Sequence, residues 1–228
     1  MSANRLHAPD AAGPRARRLW DISAPVDASS PVFPGDTPFR QRWAAQIAPG
    51  CPVNVSAVTL SPHVGTHADA PLHYDPDGAA SGALSLAPYL GPCRVIHAIG
   101  CGPLVQWPHI AHAIDANPAP LPPRVLVRTY PRMPVDRWDA ALPAFAPDTI
   151  ARLADRGVQL VGIDSASVDP ADSKDLPAHA ACFRRGMAII EGVVLDGVPE
   201  GRYDLIALPL RIEGGDASPV RAVLRTPT

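Results

Sequence analysis

The amino-acid sequence predicts a strand-rich α/β fold with a mixed sheet and few helices. Many short apolar runs are bounded by turn residues, which is typical of strands. The 29 prolines of this 228-residue chain are scattered and often flank those runs, a pattern that favours short strands over a helical bundle. Residues 148–156 carry helical marks and a strand-like run follows at 158–164, which indicates an α/β layer.

The first half of the chain predicts strands separated by loops. Short runs rich in apolar or β-branched residues predict strands at 19–23, 39–47, 53–60 and 93–99. Residues 30–36 and 75–85 contain clustered turn residues and predict loops. Residues 105–114 predict a helix that Pro108 is expected to break, because proline has no backbone N–H to donate.

The second half predicts two helices among further strands. Apolar runs predict strands at 124–129, 158–164, 187–191, 203–212 and 218–224. For the helix at 148–156, Asp148 is the expected N-cap and Gly157 the expected stop. A short helix is expected at 178–185. The last two strands are expected to form a hairpin, in which Pro209 indicates an edge or a bulge.

Length and composition allow one large domain or two small ones, and we expect a single domain at residues 18–228. Hydrophobic residues make up 46% and charged residues 18% of the chain, a globular composition that is long enough to bury a substantial core. Residues 1–17 are rich in alanine, arginine and proline and lack the apolar stretch of a secretory signal. We expect this segment to be a loosely held leader.

The charge pattern and the cysteines limit the partners and the compartment. A formal net charge of −2 and the lack of a long basic run argue against nucleic-acid binding. No apolar run is long enough to cross a bilayer, so no membrane partner is expected. The four cysteines form no C-x-x-C pair and do not resemble a disulfide framework, so a reducing cytoplasm is the expected location.

The segment at 61–74 has the highest density of metal-ligand side chains in the sequence. Its candidate ligands all lie at odd positions: His63, His67, Asp69 and His73. Side chains alternate along an extended chain, so these four would face the same side. The alternative is that they are ordinary loop histidines with a capping aspartate. Their concentration, in a chain with only eight histidines, favours a metal site.

The backbone of this segment needs a bend for its histidines to share an ion. In an ideal strand, residues four apart are separated by about 13 Å, which two metal–nitrogen bonds span poorly. Gly65 tolerates the unusual backbone angles of a bend. A helix would also bring His63 and His67 together, but Pro62, Gly65 and Pro71 disfavour one. We therefore predict a bent, extended loop that follows the strand at 53–60.

Two further side chains could complete the site. Glu191 ends a buried strand, where a carboxylate is costly unless it is paired or coordinated, and His179 begins the short helix at 178–185. A solvent-facing Glu191 and a surface His179 are the alternatives. Nitrogen and carboxylate ligands without thiolate suit zinc, and also manganese or iron. Two such ions close together are a common arrangement for hydrolysing amides or esters.

Three blocks of the sequence resemble the cyclase-like metal hydrolase family. Residues 63–73 match the pattern H-x-G-T-H-x-D-x-P-x-H at every fixed position. Residues 162–170 resemble the block D-T-P-S-x-D-P, with departures at Ser165 and Ala166, and residues 179–192 resemble a segment H…G-x-x-x-x-E-G. The resemblance covers the chain from about residue 18 to 225. It implies a swivelling β/β/α domain with a mixed sheet.

The resemblance also implies an activity and an assembly. The sequence is most similar to one branch of this family. That branch implies hydrolysis of N-formyl-L-kynurenine to L-kynurenine and formate, a reaction of tryptophan degradation. Two zinc ions per subunit are implied, with manganese or another divalent ion as an alternative, and so is a homodimer. The implied roles are as follows: His63 and His67 bind one ion, His179 binds the other, Asp69 and Glu191 bridge both, His73 donates and accepts the proton, and Phe33 lines the substrate pocket.

Two alternatives remain open at the level of sequence. The first is a hydrolase of another aromatic or cyclic amide, such as isatin. Phe33, Trp20 and Tyr74 favour an aromatic substrate without identifying it. The second is a metal-binding structural or regulatory protein that catalyses no reaction. The presence of an acid–base histidine beside the ligands argues against it.

Overall fold

The computed structural model describes residues 18–115 and 119–227 of the chain. The predicted leader at 1–17 lies outside the described residues. Within them, no helix combines the length and the apolar character needed to cross a membrane.

The described residues form thirteen strands, three α-helices and three single-turn 3₁₀ segments. The strands are β1 (Leu19–Asp21), β2 (Arg40–Ala45), β3 (Val55–Thr59), β4 (His67–Asp69), β5 (Leu90–His97), β6 (Leu104–Val105), β7 (Arg124–Arg128), β8 (Ala144–Phe145), β9 (Leu160–Ile163), β10 (Ala188–Glu191), β11 (Gly201–Ile206), β12 (Ala217–Pro219) and β13 (Val223–Arg225). The α-helices are α1 (Trp107–Asp115), α2 (Pro147–Ala154) and α3 (Pro177–Arg184), and the 3₁₀ segments are Pro71–His73, Ser81–Ala83 and Ala87–Tyr89.

Nine strands form one mixed sheet in the order β1-β13-β11-β5-β7-β9-β10-β4-β12. The central strands β5, β7, β9 and β10 are parallel. Antiparallel strands extend the sheet on both sides, with β11, β13 and β1 beyond β5 and with β4 and β12 beyond β10. The predicted strand-rich α/β fold with a mixed sheet is therefore confirmed.

Both faces of the sheet bury apolar side chains. Val125 and Val127 of β7 pack into the core that also contains residues of all three helices, whereas Leu126 points into the core on the opposite face. This alternation follows from the two-residue period of a strand. Because both faces are covered, β9 and β10 are almost continuously apolar and β7 is apolar between its terminal arginines, as is usual for parallel strands.

Two predicted details of the helices are wrong. Pro108 does not break α1 but stands at its second residue, where a helix needs no N–H donor. The N-cap of α2 is Ala146, so Asp148 lies in the first turn. There it accepts a hydrogen bond from Arg152 Nε at 3.0 Å. The predicted stop is confirmed, because Gly157 adopts a positive φ of 83° just after the helix.

The predicted C-terminal hairpin is only partly correct. The strand predicted at 203–212 ends at Ile206, and Pro209 lies beyond it. The region predicted as the second strand divides into β12 and β13. β13 pairs with β11, while β12 pairs with β4 at the opposite edge of the sheet. This crossing brings the turn before β12 close to the histidine segment, since Ala70 N donates a hydrogen bond to Asp216 O at 3.0 Å.

Candidate metal centre

Two neighbouring strands and one helix bring the predicted ligands together. His67 and Asp69 lie on β4, and Glu191 is the last residue of β10. β4 and β10 are antiparallel neighbours in which Glu191 pairs directly with His67. His179 lies in the first turn of α3. The pairing of the two strands therefore sets the carboxylate of Glu191 beside the imidazole of His67.

The histidine segment is extended over only three residues. Strand alternation accounts for the placement of His67 and Asp69 only, because turns position His63 and His73. The predicted bend is confirmed: Gly65 has a φ of 67°. It folds His63 back until its ring centroid lies 4.9 Å from that of His67. The 3₁₀ turn Pro71–His73 then brings the ring of His73 to 4.2 Å from that of His63.

Gly192 allows the end of β10 to approach this bend. Its φ is 66°, and a Cβ atom at this position would lie 2.2 Å from the backbone oxygen of Gly65. Thr66 Oγ1 donates a hydrogen bond to Gly192 O at 2.6 Å and accepts one from Ala24 N at 2.8 Å. A glycine directly after Glu191 is thus required by both backbone conformation and space.

The ligand atoms form two adjoining clusters. In the first, His63 Nδ1 and His67 Nε2 lie 3.2 and 3.4 Å from Asp69 Oδ1. In the second, His179 Nε2 lies 3.3 Å from Asp69 Oδ2 and 3.6 Å from Glu191 Oε1. Asp69 therefore offers one carboxylate oxygen to each cluster. Glu191 is also shared, because its Oε2 lies 3.3 Å from His67 Nε2.

Buried polar atoms in this centre lack hydrogen bonds. His67, Asp69, His179 and Glu191 are all at most 3% exposed. His67 Nε2 and Asp69 Oδ1 are buried and have no hydrogen-bond partner in the described part of the chain, a costly condition unless another ligand satisfies them. The two atoms face each other across 3.4 Å. A divalent cation between nitrogen and carboxylate ligands would satisfy both atoms, so the residues fit a metal centre.

The electrostatics of the buried histidines also favour a cation. Burial by itself lowers the pKa of His67, but the carboxylates of Asp69 and Glu191 outweigh burial and raise that pKa to about 10. Burial also lowers the pKa of His179, but hydrogen bonds to the carboxylates of Asp169 and Asp69 outweigh burial and raise the pKa of His179 to about 10. The centre is thus negative enough to retain protons that a metal ion would replace.

His73 differs from the other three histidines of the centre. Its side chain is 33% exposed, and its ring lies 5.8 Å from that of His179. Burial lowers its pKa, so the imidazole is mainly neutral at pH 7. A neutral histidine at the edge of a cation site can take up a proton and return it.

A cavity of about 540 Å³ opens onto the centre. Its lining includes His63, His67, His73, His179 and Glu191 on the inner side. On the outer side lie Phe33 and Trp138, whose rings meet edge to face with their centroids 5.3 Å apart. Phe33 is 48% exposed, so its ring is available to a planar ligand.

The sequence model of the Cyclase family matches residues 20–170. The chain belongs to this family. It is 70% identical over 211 residues to the kynurenine formamidase of Paracidovorax citrulli, an alignment that covers 92% of this chain and 98% of that protein. It is also 60% identical over 209 residues to the kynurenine formamidase of Bordetella pertussis, with 92% and 98% covered.

Solved structures share the fold of this chain. A structure described as a potential metal-dependent hydrolase with cyclase activity superposes with a TM-score of 0.80 at 29% identity, over 93% of this chain and all of the other. Isatin hydrolase A from Ralstonia solanacearum gives a TM-score of 0.79 over 92% of each chain. At 22% identity, this second likeness shows the fold alone.

Two carboxylates to which the sequence analysis gave no role contact histidines of the candidate centre. Asp169 is fully buried, and its Oδ2 lies 2.8 Å from His179 Nδ1. Asp216 Oδ2 lies 3.1 Å from His63 Nε2 and 3.9 Å from His73 Nδ1. Asp169 belongs to the block at 162–170, whose resemblance to a family motif could have indicated a role for this residue. Asp216 lies in a turn with no local pattern that indicates a role.

Proposed function

We propose that this protein hydrolyses N-formyl-L-kynurenine to L-kynurenine and formate, a step of tryptophan degradation. The observation that carries the proposal is the buried histidine–carboxylate centre at the base of an aromatic-walled cavity. The 70% identity to a protein named kynurenine formamidase supports this substrate. The cavity, at about 540 Å³, falls within the usual range for small-molecule sites.

We propose that the two clusters hold two divalent ions per subunit. His63, His67 and Asp69 would hold one ion, and Asp69, His179 and Glu191 the other; each group offers ligand atoms within 4.8 Å of one another. Their chemistry favours zinc, with manganese or another divalent ion as the alternative. Such ions, when bound, polarise a carbonyl and ease the ionisation of water. The unpartnered His67 Nε2 and Asp69 Oδ1 support this assignment.

In this proposal His73 is the proton donor and acceptor. It lies beside the ligand His63 and lines the cavity, so its ring can reach the scissile formamide. Its lowered pKa leaves the imidazole neutral and ready to accept a proton from the attacking water. It can then return the proton to the departing nitrogen. That nitrogen belongs to an arylamine, which needs less help from an acid than an alkylamine does.

Phe33 is the proposed contact for the aromatic ring of the substrate. Its partly exposed ring faces the cavity and is held by the edge-to-face contact with Trp138. Offset or edge-on contact with such a pair favours a planar substrate.

The proposed substrate is tested by comparing N-formyl-L-kynurenine with isatin under the same conditions. Absorbance follows the release of L-kynurenine from the first and ring opening of the second. We expect kcat/KM to be at least a hundredfold higher for N-formyl-L-kynurenine. A preference for isatin would contradict the proposed substrate while leaving the site a metal-dependent amide hydrolase.

We further propose a cytoplasmic homodimer of single-domain subunits, each spanning residues 18–228. The separate β2–β3 hairpin exposes Trp43, Val55 and Val58 to about half of their area, and burial of such a surface against a second subunit would be favourable. The four cysteines are free, which supports a reducing compartment. Light scattering after size-exclusion chromatography tests the dimer.

A further inference from the structure

The cavity wall carries one conspicuous positive side chain. Arg137 is the only arginine or lysine among the described residues that line the cavity. The acidic members of the same lining are Asp36, Asp139, Asp164, Glu191 and Asp216. Arg137 therefore stands out as the place on this wall where an anionic part of a ligand would be attracted.

Arg137 is close to the aromatic pair at the outer side of the cavity. It lies in the loop between β7 and β8 and directly precedes Trp138, whose ring contacts Phe33. Arg137 and the aromatic pair therefore belong to the same wall of the cavity, on which a ligand ring and its charged substituent could both be held. The long arginine side chain can adjust to such a substituent without movement of the backbone.

The guanidinium of Arg137 is weakly held in the protein. Nη1 lies 3.7 Å from Asp136 Oδ1, and both side chains are more than 70% exposed, so this ion pair contributes little. Arg128, the last residue of β7, is different: its Nε donates to Tyr130 O and its Nη2 to Pro131 O, both in the loop. Arg128 supports the loop, whereas Arg137 is available to a ligand.

The proposed substrate carries an anionic group that could pair with the Arg137 guanidinium. N-formyl-L-kynurenine carries an α-amino acid carboxylate on a chain ortho to the formamide. A carboxylate is itself a good ligand for divalent ions, and its binding to the centre would place the formamide away from His73. An arginine elsewhere on the cavity wall would instead hold the carboxylate through paired, charge-assisted hydrogen bonds.

We propose that Arg137 binds the substrate α-carboxylate and thereby selects formanilides that bear an amino-acid side chain. This inference rests on the proposed function. It makes Arg137 a determinant of substrate orientation and specificity, with no part in the proton transfers that we assign to His73.

The test compares two substrates in three variants. The substrates are N-formyl-L-kynurenine and ortho-formamidoacetophenone, a neutral analogue that keeps the ring, the ketone and the formamide. The variants are Arg137→Gln, Arg137→Lys and the control Arg132→Gln. Arg132 is an exposed residue of the same loop that does not line the cavity. Thermal unfolding of each variant verifies that it is folded.

Arg137→Gln is expected to lower kcat/KM for N-formyl-L-kynurenine about tenfold, mainly through KM. A change of this size corresponds to the loss of one charge-assisted hydrogen-bonded contact that the bound substrate shields from water. Its kcat/KM for the neutral analogue should stay within twofold of wild type. Arg137→Lys should recover part of the loss, and Arg132→Gln should change neither substrate.

An equal loss with both substrates, or no loss with N-formyl-L-kynurenine, would overturn the role of Arg137. If the wild-type protein hydrolyses neither substrate, the proposed function itself is wrong. If it hydrolyses the neutral analogue better than N-formyl-L-kynurenine, formamide hydrolysis stands but selection for the carboxylate is refuted.

Discussion

Replacement of Asp169 by asparagine tests how the protein orients a proposed metal ligand. Asp169 Oδ2 accepts hydrogen bonds from His179 Nδ1 at 2.8 Å and from His179 N at 3.0 Å, and Oδ1 accepts from Ala178 N at 2.9 Å. With Nδ1–H held by Asp169, Nε2 is the nitrogen directed at Asp69 and Glu191, and it is the atom that would bind a metal ion after losing its proton. A carboxylate behind a ligand histidine commonly fixes the ring in this way.

Neither orientation of an asparagine amide at position 169 reproduces these contacts. If the amide oxygen replaces Oδ2, it keeps the contacts with His179 and a 3.1 Å contact with Ala178 N, but the NH₂ group at the Oδ1 position then faces that same N–H donor. If the oxygen replaces Oδ1, the NH₂ group faces His179 and favours the tautomer with hydrogen on Nε2. We expect the free energy of unfolding to fall by about 1–3 kcal/mol and zinc affinity at the second cluster to fall about 10–100-fold.

Competition with a chromophoric chelator measures zinc affinity in the Asp169→Asn variant, and urea unfolding of the metal-free protein measures stability. Asp172→Asn is the matched control, because Asp172 is exposed in the same loop. It should leave both quantities unchanged. If Asp169→Asn binds two zinc equivalents as tightly as wild type, the proposed orientation of His179 by Asp169 is refuted.

Three further predictions address the acid–base group, the backbone and pH. His73→Gln should lower kcat at least about a hundredfold while two metal equivalents stay bound; loss of metal would show that His73 is a ligand. Gly192→Ala should cost more than about 2 kcal/mol in urea unfolding, because its Cβ would meet Gly65 O at 2.2 Å; an unchanged midpoint would contradict the tight approach. Burial raises the pKa of Asp164 to about 6 despite hydrogen bonds from Thr129 and Tyr130. Because folding raises this pKa, protonated Asp164 adds to the free energy of unfolding below about pH 4, and this contribution, up to about 3 kcal/mol, is lost as pH rises through 6. Urea unfolding at several pH values should therefore show a flatter pH dependence for Asp164→Asn than for wild type. The same pH dependence in both proteins would refute the raised pKa.

Local sequence pattern predicted the chemistry of the centre better than its geometry. The donor types at His63, His67, Asp69 and Glu191 followed from the sequence, because ligand chemistry belongs to individual side chains. The direct pairing of His67 with Glu191 did not, since the order of strands in a sheet is set by packing far along the chain. Alternation held only within β4, where the backbone is extended.

The contacts of Asp216 show why other parts of the site escaped prediction. It reaches His63 because β12 pairs with β4 at the sheet edge, although 153 positions separate the two residues. The sequence instead suggested a simple hairpin of the last strands, the most local pairing available. Asp169 is intermediate: its neighbours in the sequence matched a recognisable block, but its contact with His179 depends on where α3 begins.

The most direct test of the account is metal removal and return, with activity and metal content measured on the same samples. The protein is treated with a chelator, dialysed, and titrated with zinc while N-formyl-L-kynurenine hydrolysis is followed. Activity is expected to disappear with the metal and to return as bound zinc reaches two equivalents per chain. Full hydrolysis by protein that contains no metal would contradict it.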